Sequence, residues 1–222
     1  MLVAALACAL FPLAGGRFAV DLATSIMVYA IFALSLELLA GETGLVSFGH
    51  AAFLGIGAYA TVLLAPKSGA PSLAWLAPLV VLVTAVAAAA IGALALRTRG
   101  VYFIMVTLAF SQMAYYVFHD TAIGGGSDGI YLAARPTLPL VANLGDARTF
   151  YYLTLALLAL AFGALAAIKR SRFGHSRSGI RVNETRMRAA GVSTYAYKLA
   201  AFTIAVALAF VAGLLWAIKD GF

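Results

Sequence analysis

The chain has 222 residues, of which 64% are apolar and 10% are charged, and its formal net charge is +7. An ordinary soluble domain is about 45–50% apolar and about 25% charged, so the composition excludes a water-soluble globular enzyme as the first interpretation. It also excludes a disordered chain and a coiled coil. The single cysteine, Cys8, excludes a disulfide scaffold and a cysteine metal cluster.

Seven apolar segments are predicted to be transmembrane helices, because a spanning helix needs about 20 apolar residues. In chain order they cover residues 2–14, 22–40, 46–65, 73–96, 101–118, 150–168 and 199–218. The first is short, and we interpret it as a helix rather than a signal sequence because no basic residues precede it. The sequence therefore predicts an all-α, polytopic membrane helix bundle of about seven transmembrane helices, with residues 1–222 forming a single domain.

Most connections between the predicted spans are short, and short connections make neighbouring helices antiparallel. Two connections are long, residues 119–149 and 169–198. The second, called the basic loop here, carries eight Lys and Arg residues and one acid, Glu184, and so accounts for the whole net charge of +7. With Arg97 and Arg99, its side of the bundle holds ten basic residues, against five on the other. By the positive-inside rule, the basic loop is predicted to be cytoplasmic. The charge therefore indicates membrane orientation rather than nucleic-acid binding.

Polar residues in the predicted spans are candidates for a substrate path. Glu37 lies near the end of its span, where a carboxylate is expected to face the bundle interior or to reach the interface. Ser47 and His50 are three residues apart and are predicted to share a helix face; His50 is consistent with either a structural hydrogen bond or a polar path. Ser47, Ala51 and Gly55 recur every four residues and predict a stripe of small residues on which another helix packs.

The two long connections carry further candidates. Residues 124–129 are rich in glycine, and Ser127 and Asp128 are interpreted as turn caps or as contacts to a substrate or an external protein. In the basic loop, residues 178–191 predict a short, weakly amphipathic helix that ends at Gly191, with Glu184 and Arg188 in the favourable order for an ion pair. Two interpretations of the basic loop are open, contact with lipid head groups and docking of a cytoplasmic partner. The defined helix favours docking.

No motif for catalysis, metal binding or nucleotide binding is found in the sequence. The three histidines, His50, His119 and His175, are far apart, and no His-Glu-x-x-His motif occurs. Gly55-x-Gly57-x-x-Ala60 matches a dinucleotide fingerprint, but it lies inside an apolar segment rather than between a strand and a helix. We therefore predict no catalytic residue, no metal and no cofactor.

Four motif blocks follow one another along the chain and are specific together. They are Gly44-x-x-Ser47-Phe48-Gly49-His50 with Gly55, Gly57 and Tyr59; Arg99-Gly100-Val101-Tyr102-Phe103; Gly125-Gly126-Ser127-Asp128-Gly129; and Asn183-Glu184-Thr185-Arg186 with Tyr197-Lys198-Leu199. These blocks resemble those of the permease subunits of branched-chain amino acid ABC importers, of the LivM type.

The resemblance implies a multi-pass subunit of the bacterial inner membrane that imports branched-chain or related amino acids by alternating access and is not itself an enzyme. As partners it implies membrane lipid, a second permease of the LivH type, two cytoplasmic ATPase subunits that hydrolyse ATP, and a periplasmic substrate-binding protein. The basic loop is then expected to be the coupling loop that binds the ATPase, through Arg181, Asn183, Glu184, Arg186, Arg188 and Gly191. The substrate-path candidates are Glu37, Ser47, His50, Gly55, Gly57 and Tyr59, and the outer-loop candidates are Gly125, Ser127 and Asp128.

The chain departs from the family pattern in two respects. Family members are usually longer and have further spans, so the chain is expected to be short at its C-terminus, and a non-functional permease fragment is one alternative. Glu37 stands where many relatives carry an uncharged polar residue. A secondary, ion-coupled transporter is a second alternative, although that class usually shows more charge within the membrane. An intramembrane enzyme would need a third group beside Ser47 and His50.

Overall fold

The computed structural model describes residues 8, 10–12, 16–66, 71–126, 129–132, 136–137 and 145–221. Within these ranges the chain is helical, apart from turns, loops and an isolated bridge between Ser72 and Thr137. The helices are α1 (Arg17–Leu36), which continues as a π-helical turn (Glu37–Glu42), α2 (His50–Leu64), α3 (Leu73–Ala95), α4 (Val101–Asp120), α5 (Ala147–Arg170), α6 (Arg172–Val182), α7 (Glu184–Ala189) and α8 (Thr194–Asp220).

Five helices are long and apolar enough to cross a membrane, namely α1 with its π-helical turn, α3, α4, α5 and α8. The α2 helix has 15 residues and is about 22 Å long, which is less than the roughly 30 Å of a bilayer core. The first residues of the predicted span at 46–65 are therefore not part of a helix, because residues 43–49 are not helical. The predicted segment 2–14 lies largely outside the described residues. The all-α polytopic bundle is confirmed, with five long helices and one short helix in the described part of the chain.

The apolar helices alternate in direction, which gives the bundle two distinct ends. At one end, the ammonium of Lys219, near the end of α8, lies 3.2 Å from the carboxylate of Asp21, near the start of α1. At the other end, the hydroxyl of Tyr195, in the first turn of α8, donates to the carbonyl of Ala93 near the end of α3, at 2.9 Å. The basic loop lies at this second end, which we call the basic end.

The central helix of the bundle is α8. Of its most apolar stretch 67% is buried inside the protein, against 11% for α4. Phe53 of α2 packs edge-on against Phe202 and Phe210 of α8, with ring centroids 5.7 and 5.9 Å apart. A Cβ at Gly57 would lie 2.8 Å from the backbone of Phe210. The α2 and α8 helices thus pack backbone to backbone.

The predicted stripe of small residues is wrong. Ser47 precedes the helix, which begins at His50, and a Cβ at Gly55 would meet no atom within 4 Å. The chain makes a left-handed turn at Gly44, with φ of +73°, so the helix starts later than the apolar pattern indicates. Gly57, on another face of α2, makes the close helix contact instead.

Candidate functional site

The segment that leads into α2 lies beside α4 rather than outside the bundle. A Cβ at Gly49 would collide with the backbone carbonyl of Thr107. Thr107 lies about 9 Å along α4 from its first residue. Non-helical backbone at such a depth is tolerated in a membrane only where protein or a water-filled cavity surrounds it. The first turn of α2 therefore begins inside the bundle.

His50, the first residue of α2, is fully buried and carries an unused ring nitrogen. Its Nε2 lies 2.7 Å from Oγ of Ser35, and that hydroxyl donates to the carbonyl of Phe32, also at 2.7 Å. Because a hydroxyl has one proton, Nε2 of His50 is assigned as the donor to Ser35, which leaves Nδ1 as a bare acceptor. Nδ1 and the hydroxyl oxygen of Ser47 are both buried without a hydrogen-bond partner among the described residues. The structural interpretation of His50 accounts for one nitrogen but not for the other.

A cavity of about 230 Å³ lies between α2 and α4. The ring of Tyr59 on α2 stacks on Phe118 of α4, with centroids 4.3 Å apart, and Tyr115 stacks on His119 at 5.1 Å. An apolar cavity with a few polar groups is the usual form of a small-molecule site. The lining of the cavity includes Gly55 and Tyr59 of α2 and Ser111, Tyr115, Phe118 and His119 of α4.

Only the α2 side of this cavity is among the substrate-path residues predicted from the sequence. Ser111, Tyr115 and His119 were missed, although they recur every four residues and so share one face of α4. A polar stripe at that spacing within an apolar span was the signal that would have found them. The cavity therefore joins predicted and unpredicted residues on facing helices.

The other substrate-path candidates lie elsewhere. Ser47 and His50 are at the beginning of α2, and Gly57 faces α8. Glu37 is exposed at the end of α1, in a separate groove against α5 that Lys169 also lines. The structure thus brings Gly55 and Tyr59 together and separates them from Glu37.

The outer-loop candidates are described only in part. Gly125 has φ of +78°, and a Cβ there would collide with the carbonyl of Gly129, so this turn requires glycine. Ser127 and Asp128 lie outside the described residues. This connection joins α4 to α5 at the end opposite the basic end.

The basic loop forms two helices, where a single helix over 178–191 was predicted. The backbone of Asn183 is extended, with φ of −155°, and its side-chain oxygen accepts from the backbone N–H of Arg186 at 2.9 Å. Asparagine is a strong N-cap, so it ends α6 and starts α7. Gly191, with φ of +82°, follows the end of α7, as the predicted glycine stop requires.

Glu184 holds α7 to the first turns of α8. Its carboxylate lies 2.6 Å from Arg188, which confirms the predicted ion pair, and 2.7 Å from the ammonium of Lys198. Thr194 donates a further hydrogen bond at 3.1 Å. Partial burial opposes ionisation of this carboxyl, but the hydrogen bond and charge of Lys198, with Thr194 and Arg188, prevail and lower the pKa of Glu184 to about 2. Glu184 is therefore charged at neutral pH.

The α6 helix is held by the π-helical turn at the end of α1. Arg177 is 1% exposed, and its guanidinium lies 3.5 Å from one carboxylate oxygen of Glu42, while Lys169 lies 2.7 Å from the other. Arg181 donates to the carbonyl of Gly41. The basic loop is thus joined to the segment that leads into α2.

The six coupling candidates divide into two groups. Arg181, Asn183, Glu184 and Arg188 make the contacts within the chain described above, and Gly191 ends α7. The side chain of Arg186 is exposed and forms no ion pair with any residue that the structure describes. Val182, which sequence analysis missed, is 86% exposed at the junction of α6 and α7. The sequence feature that could have indicated this position is a valine between polar residues.

Comparison with known proteins places these features in a family. Residues 18–221 match the family model for the branched-chain amino acid transport system permease component. The chain is 34% identical to the high-affinity branched-chain amino acid transport system permease protein LivM of Salmonella typhimurium and 33% identical to the LivM protein of Escherichia coli K12. Each alignment covers 96% of this chain and 55% of the relative, so the chain spans about half the length of these curated relatives. No solved structure matches the chain. The chain belongs to the family of branched-chain amino acid transport system permease components.

Proposed function

We propose that the chain is a membrane-spanning permease subunit of an ABC importer for branched-chain or related amino acids. The observation that carries this proposal is the pair of short helices, α6 and α7, which lie outside the apolar bundle. Buried and half-buried ion pairs hold them to it while Val182 and Arg186 face outward. A loop that only sets membrane orientation needs positive charge but no such helices. The family match supports the same function.

In this proposal α6 and α7, within the coupling loop 169–198, dock on a cytoplasmic ATPase subunit. Val182 supplies an apolar contact, and Arg186 supplies a charge that no described residue neutralises. The chain itself performs no catalysis, because ATP hydrolysis belongs to two ATPase partners. A second permease of the LivH type and a periplasmic substrate-binding protein complete the assembly.

The packing offers a route from the docking helices to the cavity. Glu184 joins α7 to α8, and α8 packs backbone to backbone on α2 at Gly57. The α2 helix forms one wall of the cavity. A displacement of α7 by the ATPase would therefore move α2 relative to α4, which is the element of alternating access that this chain contributes.

The substrate path is proposed to run between α2 and α4. Apolar and aromatic walls suit an aliphatic side chain, and Ser111, Tyr115 and His119 offer hydrogen bonds to the amino acid backbone. Ser47 and His50 lie toward the basic end of the same helix pair, where their unpartnered atoms can receive a substrate in another conformation. Glu37 and Gly57 face other helices and are left out of this path.

Orientation follows from charge. The ten basic residues at the basic end support a cytoplasmic position for that end, by the positive-inside rule, and the proposed importer is expected in the inner membrane of a bacterium. The turn at Gly125, with Ser127 and Asp128, then faces the periplasm and the binding protein.

A mild-detergent pull-down of the tagged chain from its native membrane tests the proposal. We expect an ATPase subunit and a second permease to co-purify. The paired substitution Val182→Ser and Arg186→Gln should release the ATPase and retain the permease, whereas Tyr131→Ser, an exposed change at the opposite end, should retain both. Recovery of the folded chain without either partner would instead support a permease fragment that does not assemble or a self-sufficient transporter.

A further inference from the structure

A second and larger cavity, of about 710 Å³, lies at the basic end between residues 44–46, the turn that joins α3 to α4, and the helices α7 and α8. We propose that this cavity binds an anionic phospholipid. Arg97 and Arg99 hold the phosphate of its head group, and its apolar part lies against the side chains of residues 45, 46 and 104. This inference requires that the chain lies in a membrane with its basic end toward the cytoplasm, and it does not depend on the proposed transport function.

The charges that line the cavity are unbalanced. Four cationic side chains line it, those of Arg97, Arg99, Arg188 and Lys198, together with one carboxylate, that of Glu184. Glu184 is already engaged, at 2.6 Å from Arg188 and 2.7 Å from Lys198. Arg97 and Arg99 form no ion pair with any acid in the described ranges. The cavity thus has two arginines available for an anion, and guanidinium groups match the geometry of phosphate oxygens.

Most of the remaining lining is apolar, apart from Thr98 and Tyr195. Leu45, Val46, Leu96, Phe103 and Ile104 line the cavity, and Val101, which also borders it, is exposed on the outside of α4 next to Tyr102. Apolar surface therefore runs from the cavity to the outer surface of the bundle. A small soluble anion would satisfy the arginines and leave this surface in contact with water, at a cost in free energy. An amphiphile with an anionic head group satisfies both.

The cavity lies at the level where lipid head groups are found. Arg97 and Arg99 are in the short turn between α3 and α4, both of which are long and apolar enough to span the membrane. Basic pockets between spanning helices near the cytoplasmic surface bind anionic head groups. The position, the charge and the apolar lining therefore agree on the same ligand.

Native mass spectrometry of the delipidated chain in detergent tests the inference. Phosphatidylglycerol and phosphatidylcholine are added separately, and the bound fraction is measured. We expect phosphatidylglycerol to bind on the order of tenfold more tightly. The pair Arg97→Gln with Arg99→Gln should abolish that preference. The matched pair Arg170→Gln with Arg172→Gln removes the same charge from exposed positions at the same end, outside the cavity, and should preserve it.

A third variant and a soluble competitor complete the design. Arg97→Lys with Arg99→Lys keeps the charge and loses the two-pronged geometry, so it should bind phosphatidylglycerol at an intermediate level. Glycerol 3-phosphate should not displace the lipid at millimolar concentration. Equal losses in the two glutamine pairs, equal binding of the two lipids, or displacement by glycerol 3-phosphate would each overturn the inference. The first result would indicate diffuse electrostatic attraction, the second binding that does not recognise the charge of the head group, and the third a site for soluble anions.

Discussion

The carboxylate of Glu184 and the ammonium of Lys198 lie 2.7 Å apart and join α7 to α8, although they are separated by 14 residues in the chain. The resemblance to the permease family implies that Glu184 contacts a partner. The structure uses it within the chain instead, which moves the proposed contact to Val182 and Arg186. Part of the positive charge of the basic loop thus stabilises its own attachment to the bundle.

Glu184→Gln is expected to destabilise the protein by about 1–2 kcal/mol, because it removes a charge that two cations and a hydroxyl share. Thermal unfolding in detergent, with limited proteolysis near residue 190, measures the effect. Asp120→Asn removes an acid from an exposed pair with His119 at the other end and should change the melting temperature little. If the two variants lost equal stability, the attachment of α7 would not depend on Glu184.

The stabilisation by Glu184 should also disappear in acid. Its pKa is about 2 in the folded chain, against an ordinary value of 4.5. The contribution is therefore complete above pH 4.5 and is lost as the pH falls from 4.5 toward 2. Melting temperatures of the unsubstituted chain and of Glu184→Gln should differ most at pH 7, differ less at pH 3 and converge only near pH 2. A difference that stays constant over this range would show that ionisation of Glu184 is not its source.

Ser35→Ala should destabilise the bundle by about 1–3 kcal/mol, because it leaves both ring nitrogens of His50 buried without a partner. Ser25→Ala on the same helix is the matched control, since among the described residues that hydroxyl bonds only to the carbonyl of Asp21 in its own helix. Thermal unfolding compares the two variants. Equal melting temperatures would mean that His50 does not depend on Ser35.

Filling the cavity between α2 and α4 should impair transport without unfolding the chain. A Cβ at Gly55 would meet no atom within 4 Å, so Gly55→Leu is expected to fold normally and to project into the cavity. Amino acid uptake by the assembled importer should fall on the order of tenfold. Gly163→Leu is the control, because Gly163 is exposed on α5 and has equally open surroundings. Normal uptake in the Gly55 variant would exclude this cavity from the path.

The long apolar helices were predictable because hydrocarbon requires continuous apolar length and internally satisfied backbone groups. The first residue of α2 was not predictable in this way. Glycines at 41, 44 and 49 signalled a break, but the first helical residue depends on the contacts of this segment with Thr107 and with the π-helical turn. Those contacts join residues far apart in the chain, and apolar periodicity carries no information about them.

The basic loop likewise combines local features that the sequence predicts with tertiary contacts that it does not. The ion pair of Glu184 with Arg188 and the stop at Gly191 follow from local spacing and were predicted. The break at Asn183 was also indicated locally, by a strong N-cap residue, although a single helix through this position was predicted. The contacts of Glu184 with Lys198 and of Arg177 with Glu42 are tertiary, and only the fold brings those residues together.

Site-specific photo-cross-linking from position 182 in native membranes tests whether α6 and α7 dock on an ATPase subunit. A benzophenone amino acid replaces Val182, and, as controls, Val86 on the exposed face of α3 and Tyr131 at the end opposite the basic end. We expect an adduct with an ATPase subunit from position 182 and from neither control. An ATPase adduct from position 131, or none from position 182 while the chain and the ATPase co-purify, would contradict docking through α6 and α7.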